Sequence, residues 1–99
     1  MNVLVDFENL QWVQMVDGMR CKTFTDNNKI IRLIEIVEGF VDNDWCYKSH
    51  TNYILEGEFT VDFDGKAVRM KKGDVVYIPE GEKHRAILRK DERVLMLDF

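Results

Sequence analysis

Few side chains in this 99-residue sequence can do more than pack or carry charge. Its only histidines are His50 and His84, and its only cysteines are Cys21 and Cys46. Imidazole and thiolate are the groups that ligate transition metals, shuttle protons or act as nucleophiles near neutral pH. Singly, each has a plainer reading: a histidine hydrogen-bonded in a core, or a cysteine packed there. Cys21 stands between Arg20 and Lys22; cationic neighbours favour a thiolate, but a strand cysteine of this kind is read as packing. Glu56, Glu58, Glu80 and Glu82 flank turn residues and are read as solvated, and Trp12, Trp45, Tyr47 and Tyr53 as core or pocket lining. No glycine-rich phosphate loop, nucleophile elbow or basic-aromatic stripe is present.

The elements that must position these residues are strands. Trp12 to Val16 is a β-like run ended by Asp17-Gly18, a strong turn dipeptide. Met19 to Thr25 follows, with Asp26-Asn27-Asn28 as the next turn. Lys29 to Val37 is the most β-rich piece, and its length, β-branched content and flanking asparagines and glycine favour strand over helix. After a looser acidic segment, 41–44, a strand is predicted over Asn52 to Glu56, closed by Gly57. A second, Glu58 to Phe63, alternates apolar Phe59, Val61 and Phe63 with polar residues. Asp64-Gly65 leads to Lys66–Lys71, and Lys90-Asp91-Glu92 separates the last strands, His84 to Arg89 and Arg93 to Phe99. Residues 1–10 show no period and are read as a short strand or a docking arm. Short strands at close spacing without helices imply an all-β sandwich or barrel.

Size and composition set bounds on partners. One core accounts for 99 residues with 45% hydrophobic and 32% charged side chains, so residues 1–99 are read as a single domain. A net charge of −4 argues against nucleic acid as a main partner, because phosphate binding needs a basic stripe. No apolar run approaches a membrane span, and Asp6 and Glu8 stand where a secretory signal would be basic and then apolar. The location expected is cytoplasmic, with both cysteines reduced.

The stretch that organises the chain is GDVVYIPEGEKH, Gly73 to His84. Gly73 allows a positive φ on entry to a strand, Pro79 stops that strand, and Gly81 completes the turn that delivers His84. The spacing Gly73, five residues, Pro79, one residue, Gly81, two residues, His84 resembles the second motif of the cupin superfamily, although Leu88 stands where that motif has asparagine. The fold this resemblance implies is a small single-domain jelly-roll β-barrel of the cupin type-2 kind. Tyr53-Ile54-Leu55-Glu56-Gly57 resembles the end of the first motif, which carries two histidines one residue apart and then a glutamate. Counting back from Gly57 puts His50 at the glutamate position, Cys46 at the second histidine and Asp44 at the first. A register one residue later, suggested by Gly39, would place Trp45 and Tyr47 in the histidine positions; the first register is preferred because its residues can bind metal.

The resemblance thus implies a metal set of His50, His84, Cys46 and Asp44 in place of three histidines and a glutamate. Two imidazoles with a thiolate favour zinc or nickel, with iron(II) also compatible. The function expected is a cupin protein that binds a divalent metal, a small molecule, or both. The alternative is a metal-dependent enzyme (oxygenase, isomerase or lyase) acting on a small organic substrate. A closed four-ligand shell points to binding, and a shell with an open position to catalysis. The resemblance also implies a homodimer that covers open edge strands.

Overall fold

The computed structural model describes residues 3–40, 42 and 44–99. One 3-10 turn, η1 (Phe7–Asn9), precedes eight strands: β1 (Val13–Val16), β2 (Met19–Asp26), β3 (Lys29–Val37), β4 (His50–Asp62), β5 (Ala67–Lys71), β6 (Val75–Ile78), β7 (Arg85–Ile87) and β8 (Arg93–Asp98). In place of the expected strand or arm at the N-terminus, η1 is tied to the sheet where Lys22 Nζ donates to the carbonyl of Phe7 at 2.7 Å. Trp12 is pinned beneath the Arg20 and Lys22 cations, 4.2 and 5.1 Å from its ring centre. No helix among the described residues is long and apolar enough to cross a membrane.

All pairings are antiparallel. β1, β2, β3, β8 and β4 lie in that order across one sheet, and β6 continues it beyond the first half of β4. The second half of β4 is flanked instead by β5 and β7. β4 therefore belongs to two layers, which explains its 13 residues. The expected division of this segment into two strands at Gly57 is corrected: the strand runs through it. One extra residue on β4 between Ile54 and Glu56 shifts the register against β8, and Gly57 follows with φ +79°. Such a bulge bends and twists a strand without ending it. A Cβ on Gly57 would stand 1.8 Å from the carbonyl oxygen of Arg93, so only glycine allows β8 this close.

A closed barrel is also corrected. Among the described residues β1, β5, β6 and β7 each pair with one strand only. Closure requires ladders that continue round the whole circumference, and here the ladder stops at these four strands. The result is an all-β, open jelly-roll arrangement.

Inward residues repeat every second position, as the pleat demands. Ile34 and Ile36 of β3, Val94 and Met96 of β8, Ile54, Phe59 and Val61 of β4, Met70, Val76 and Ile78 form the core, with Ile54 and Val94 wholly inaccessible. On the outer face Glu35 is nearly buried between two arginines. Arg20 Nε donates to its Oε1 at 2.7 Å, and Arg93 Nη2 lies 2.6 Å from its Oε2. Burial pushes the Glu35 carboxyl up, but the hydrogen bonds from Arg20 and Arg93 outweigh it and hold the group below the usual glutamate range.

Candidate metal centre

Two backbone devices converge on one point. β6 ends at Ile78, and Pro79, Glu80 and Gly81 turn the chain, with the Gly81 N–H donating to the Tyr47 carbonyl at 2.8 Å. This turn delivers His84 opposite Cys46. The Cys46 N–H donates to the His84 carbonyl at 2.8 Å and the His84 N–H to the Cys46 carbonyl at 3.0 Å. Directly opposed residues of an antiparallel pair project to the same side, so both side chains face inward. His50, the first residue of β4, pairs with inward-facing Ile78 and shares its face.

The ligand atoms of Cys46, His50 and His84 consequently all lie within 4.8 Å of one another. Cys46 Sγ is 3.6 Å from His50 Nε2, and the two imidazoles meet edge to face with centroids 5.1 Å apart. Two ligands about 2.0 and 2.3 Å from a common tetrahedral ion stand about 3.5 Å apart, so the Cys46–His50 spacing fits such an ion. His84 Nδ1 is 2.7 Å from the Glu82 carbonyl, which can only accept, so Nδ1 carries the proton and Nε2 presents a lone pair. His50 is held below the ordinary histidine value by burial first and then by the His84 charge, with Asp98 and Asp42 opposing. Its neutral, ligating form therefore predominates at neutral pH.

Of the two sequence registers, the structure turns Cys46 inward. Trp45 lies outside, under Lys83 and Arg85 at 4.6 and 4.3 Å, and Tyr47 is exposed. Asp44 is exposed and is not one of the converging group. Two residues that the sequence reading passed over line the cavity. Asp42 is half-buried and its Oδ2 accepts from the Ala86 N–H at 3.1 Å. Asn52 is in phase with His50 and Ile54 on β4 and only 8% exposed. Its period-2 position was a usable signal; Asp42 sits in irregular chain, where no period exists.

The three residues stand in the wall of a cavity of about 240 Å³. The remaining lining is mostly apolar, from Met19, Ile34, Ile36, Phe40, Phe59 and Val61 among others. That volume corresponds to about eight waters at liquid density. Its walls favour a compact organic ligand with few polar groups.

The family model described as Cupin domain matches residues 47–99. In structure the chain is similar to the polyketide cyclase RemF from Streptomyces resistomycificus, at 16% identity, 99% coverage of this chain, 78% of that one and a TM-score of 0.76. An RmlC-like cupin from Shewanella frigidimarina matches at 20% identity over 99% of this chain and 90% of that one, with a TM-score of 0.72. A sugar phosphate isomerase from a cupin superfamily, from Silicibacter pomeroyi, matches at 15% identity over 96% and 73%, with a TM-score of 0.74. Among curated proteins no sequence match is found. At these identities the solved structures speak for the fold alone, while the sequence match, over more than half of the chain, carries the assignment: this protein belongs to the cupin family.

Proposed function

We propose that Cys46, His50 and His84 bind one divalent metal ion, and that the cavity beside them receives a small organic molecule. The observation that carries this reading is the convergence of three soft or borderline ligand atoms within 4.8 Å, from residues 38 positions apart at the extremes. A thiolate with two imidazoles favours zinc or nickel over harder ions, with iron(II) next. Asp44 would close the shell only by moving inward from its exposed position, so a three-ligand set is the better reading. The 99 residues are proposed to work as one cupin domain in the cytoplasm, where the free thiols of Cys21 and Cys46 would stay reduced. A homodimer is proposed through the outer face around β6, where Val75 and Tyr77 are each 71% exposed beside Tyr53. Sedimentation at micromolar concentration tests that contact, and a monomer would refute it.

A second reading, a metal-dependent isomerase, lyase or oxygenase, is favoured by one feature. Three protein ligands beside a cavity are the arrangement of sites that keep a position for substrate or water. A divalent ion bound there would polarise a ligand carbonyl or lower the pKa of a water. The chain itself supplies a mostly apolar cavity wall beside the three residues.

The test is elemental analysis of protein purified without chelator and without a nickel column. About one equivalent of metal per chain is expected for the wild type. His84→Ala and Cys46→Ser should each lose most of it, and Asp44→Ala should retain it. Absence of stoichiometric metal after incubation with zinc, nickel and iron(II) salts would refute the assignment.

A further inference from the structure

We infer that Asn52 selects the ligand: the cavity takes a compact, largely apolar molecule with an oxygen donor for the metal at one end and a hydroxyl or N–H hydrogen-bond donor at the other. This rests on the metal reading above and adds the polarity and position of a second anchor.

Asn52 is a buried amide in an apolar cavity wall, only 8% exposed. Its Nδ2 donates to Asp98 Oδ1 at 2.9 Å and, more weakly, to the Leu97 carbonyl at 3.4 Å. Both partners can only accept, a carboxylate and a carbonyl, so the amide orientation follows from chemistry: nitrogen toward β8, oxygen away from it. Asp98 is itself paired with Arg32 at 3.6 Å.

Among the described residues Oδ1 of Asn52 has no partner. Yet no fully buried side-chain oxygen or nitrogen there lacks one, so this oxygen is the part of the side chain that keeps access to open space. Oδ1 is thus the acceptor that Asn52, a cavity-lining residue, leaves available, and leucine in the same position would offer none. The group that matches Oδ1 is a donor on the ligand.

Its position is set by the pleat. Asn52 and His50 are two residues apart on one face of β4, about 6.6 to 6.8 Å along the strand. A para-hydroxylated aromatic carboxylate carries an oxygen for the metal and a hydroxyl donor at opposite ends, and its flat ring suits walls of Ile34, Phe59 and Met96. Asp98 is in this scheme a positioning residue: it fixes which end of the Asn52 amide meets the ligand.

The test uses full-length protein loaded with one equivalent of zinc, titrated calorimetrically with benzoate, 4-hydroxybenzoate and 4-methoxybenzoate. The wild type is expected to bind 4-hydroxybenzoate roughly tenfold more tightly than either of the others, the worth of one good hydrogen bond. Asn52→Leu should bring the three affinities together while zinc content and Tm are retained. Asp98→Asn leaves the cavity wall untouched but offers a donor to Oδ1, so the Asn52 amide can reverse and present N–H. The preference for 4-hydroxybenzoate over 4-methoxybenzoate should then be lost, because both offer an acceptor oxygen to an N–H. A tenfold preference that survives both substitutions overturns the inference, as does zinc-loaded wild type that binds the three alike or binds none. If Asn52→Leu does not fold, Asp98→Asn alone decides. Zinc content is measured first, so failure of the metal reading is seen before any titration.

Discussion

Replacing Gly57 by alanine tests how the two halves of the molecule are joined. Two costs add. At φ +79° an L-residue is in the left-handed region, which costs about 1–3 kcal/mol. The new Cβ would also stand 1.8 Å from the Arg93 carbonyl oxygen and 2.9 Å from its carbon. Ordinary C···O contacts begin near ~3.3 Å, so β4 and β8 must part by more than 1 Å at this point. Two or three neighbouring ladder hydrogen bonds would be lost, at about 1 kcal/mol each. The sum, about 3–6 kcal/mol, is a large share of the roughly 5–15 kcal/mol expected for a domain of this size. Gly65→Ala is the control: φ is also positive, +104°, but nothing lies within 4 Å of the added carbon, so only the conformational cost of about 1–3 kcal/mol applies. Urea unfolding followed by tryptophan fluorescence reads both variants. If Gly57→Ala is destabilised by no more than Gly65→Ala, the close approach of β8 to the bulge, and with it the continuity of β4, is refuted.

Chelation of the metal should lower Tm, because an ion at a hundredfold excess over its Kd stabilises the folded chain by about 2.7 kcal/mol; differential scanning calorimetry with and without EDTA reads this. Glu35→Ala should cost about 1–2 kcal/mol in urea unfolding, the low end for a paired charge because Arg20 and Arg93 stay 40% and 45% exposed and can rehydrate. The same pair predicts acid sensitivity. Glu35 titrates lower in the folded than in the unfolded chain, so its contribution is complete above the ordinary glutamate value near 4.5 and is lost as pH falls below it. His50 adds an earlier step in metal-free protein: with its folded value depressed, stability is full above the ordinary value of about 6.5 and declines as pH drops beneath it. His50→Gln should flatten the Tm–pH curve between pH 7 and 5, and an unchanged curve would refute the burial of that imidazole.

The strands were legible where turn chemistry and alternation agree. Asp17-Gly18, Asn27-Asn28 and Asp64-Gly65 all separate successive strands, and Phe59, Val61, Val76 and Ile78 are buried as their period requires. What escaped was long-range. Gly57 reads as a strand end because a glycine that permits a bulge and one that ends a strand are the same residue in sequence. Whether the sheet closes depends on which edges meet after five or six strands have been laid down, and no local pattern reports that. Leucine and isoleucine on both faces of β3 likewise hid the fact that Glu35 would be drawn into a near-buried pair of ion bridges.

The candidate site divides along the same line. His50 and His84 could be placed at one point because the resemblance to the two cupin motifs puts both in metal-ligand positions, and the structure puts them edge to edge. Cys46 depended on a register ambiguous by one residue, and it is the two backbone hydrogen bonds to His84, not any side chain, that turn Cys46 inward and leave Trp45 to the cations outside. Asp44 and Asp42 are equivalent in a sequence reading, two acids in one irregular loop, yet one is exposed and the other bonded to the Ala86 amide at the cavity. Asn52 is the instructive case. Its parity, which the sequence reading did not use, matches that of His50 and Ile54, and an amide there breaks the apolar pattern of its strand. A polar residue on a buried parity, satisfied by the neighbouring strand at its nitrogen but not at its oxygen, is where a small cupin cavity departs from being merely a core.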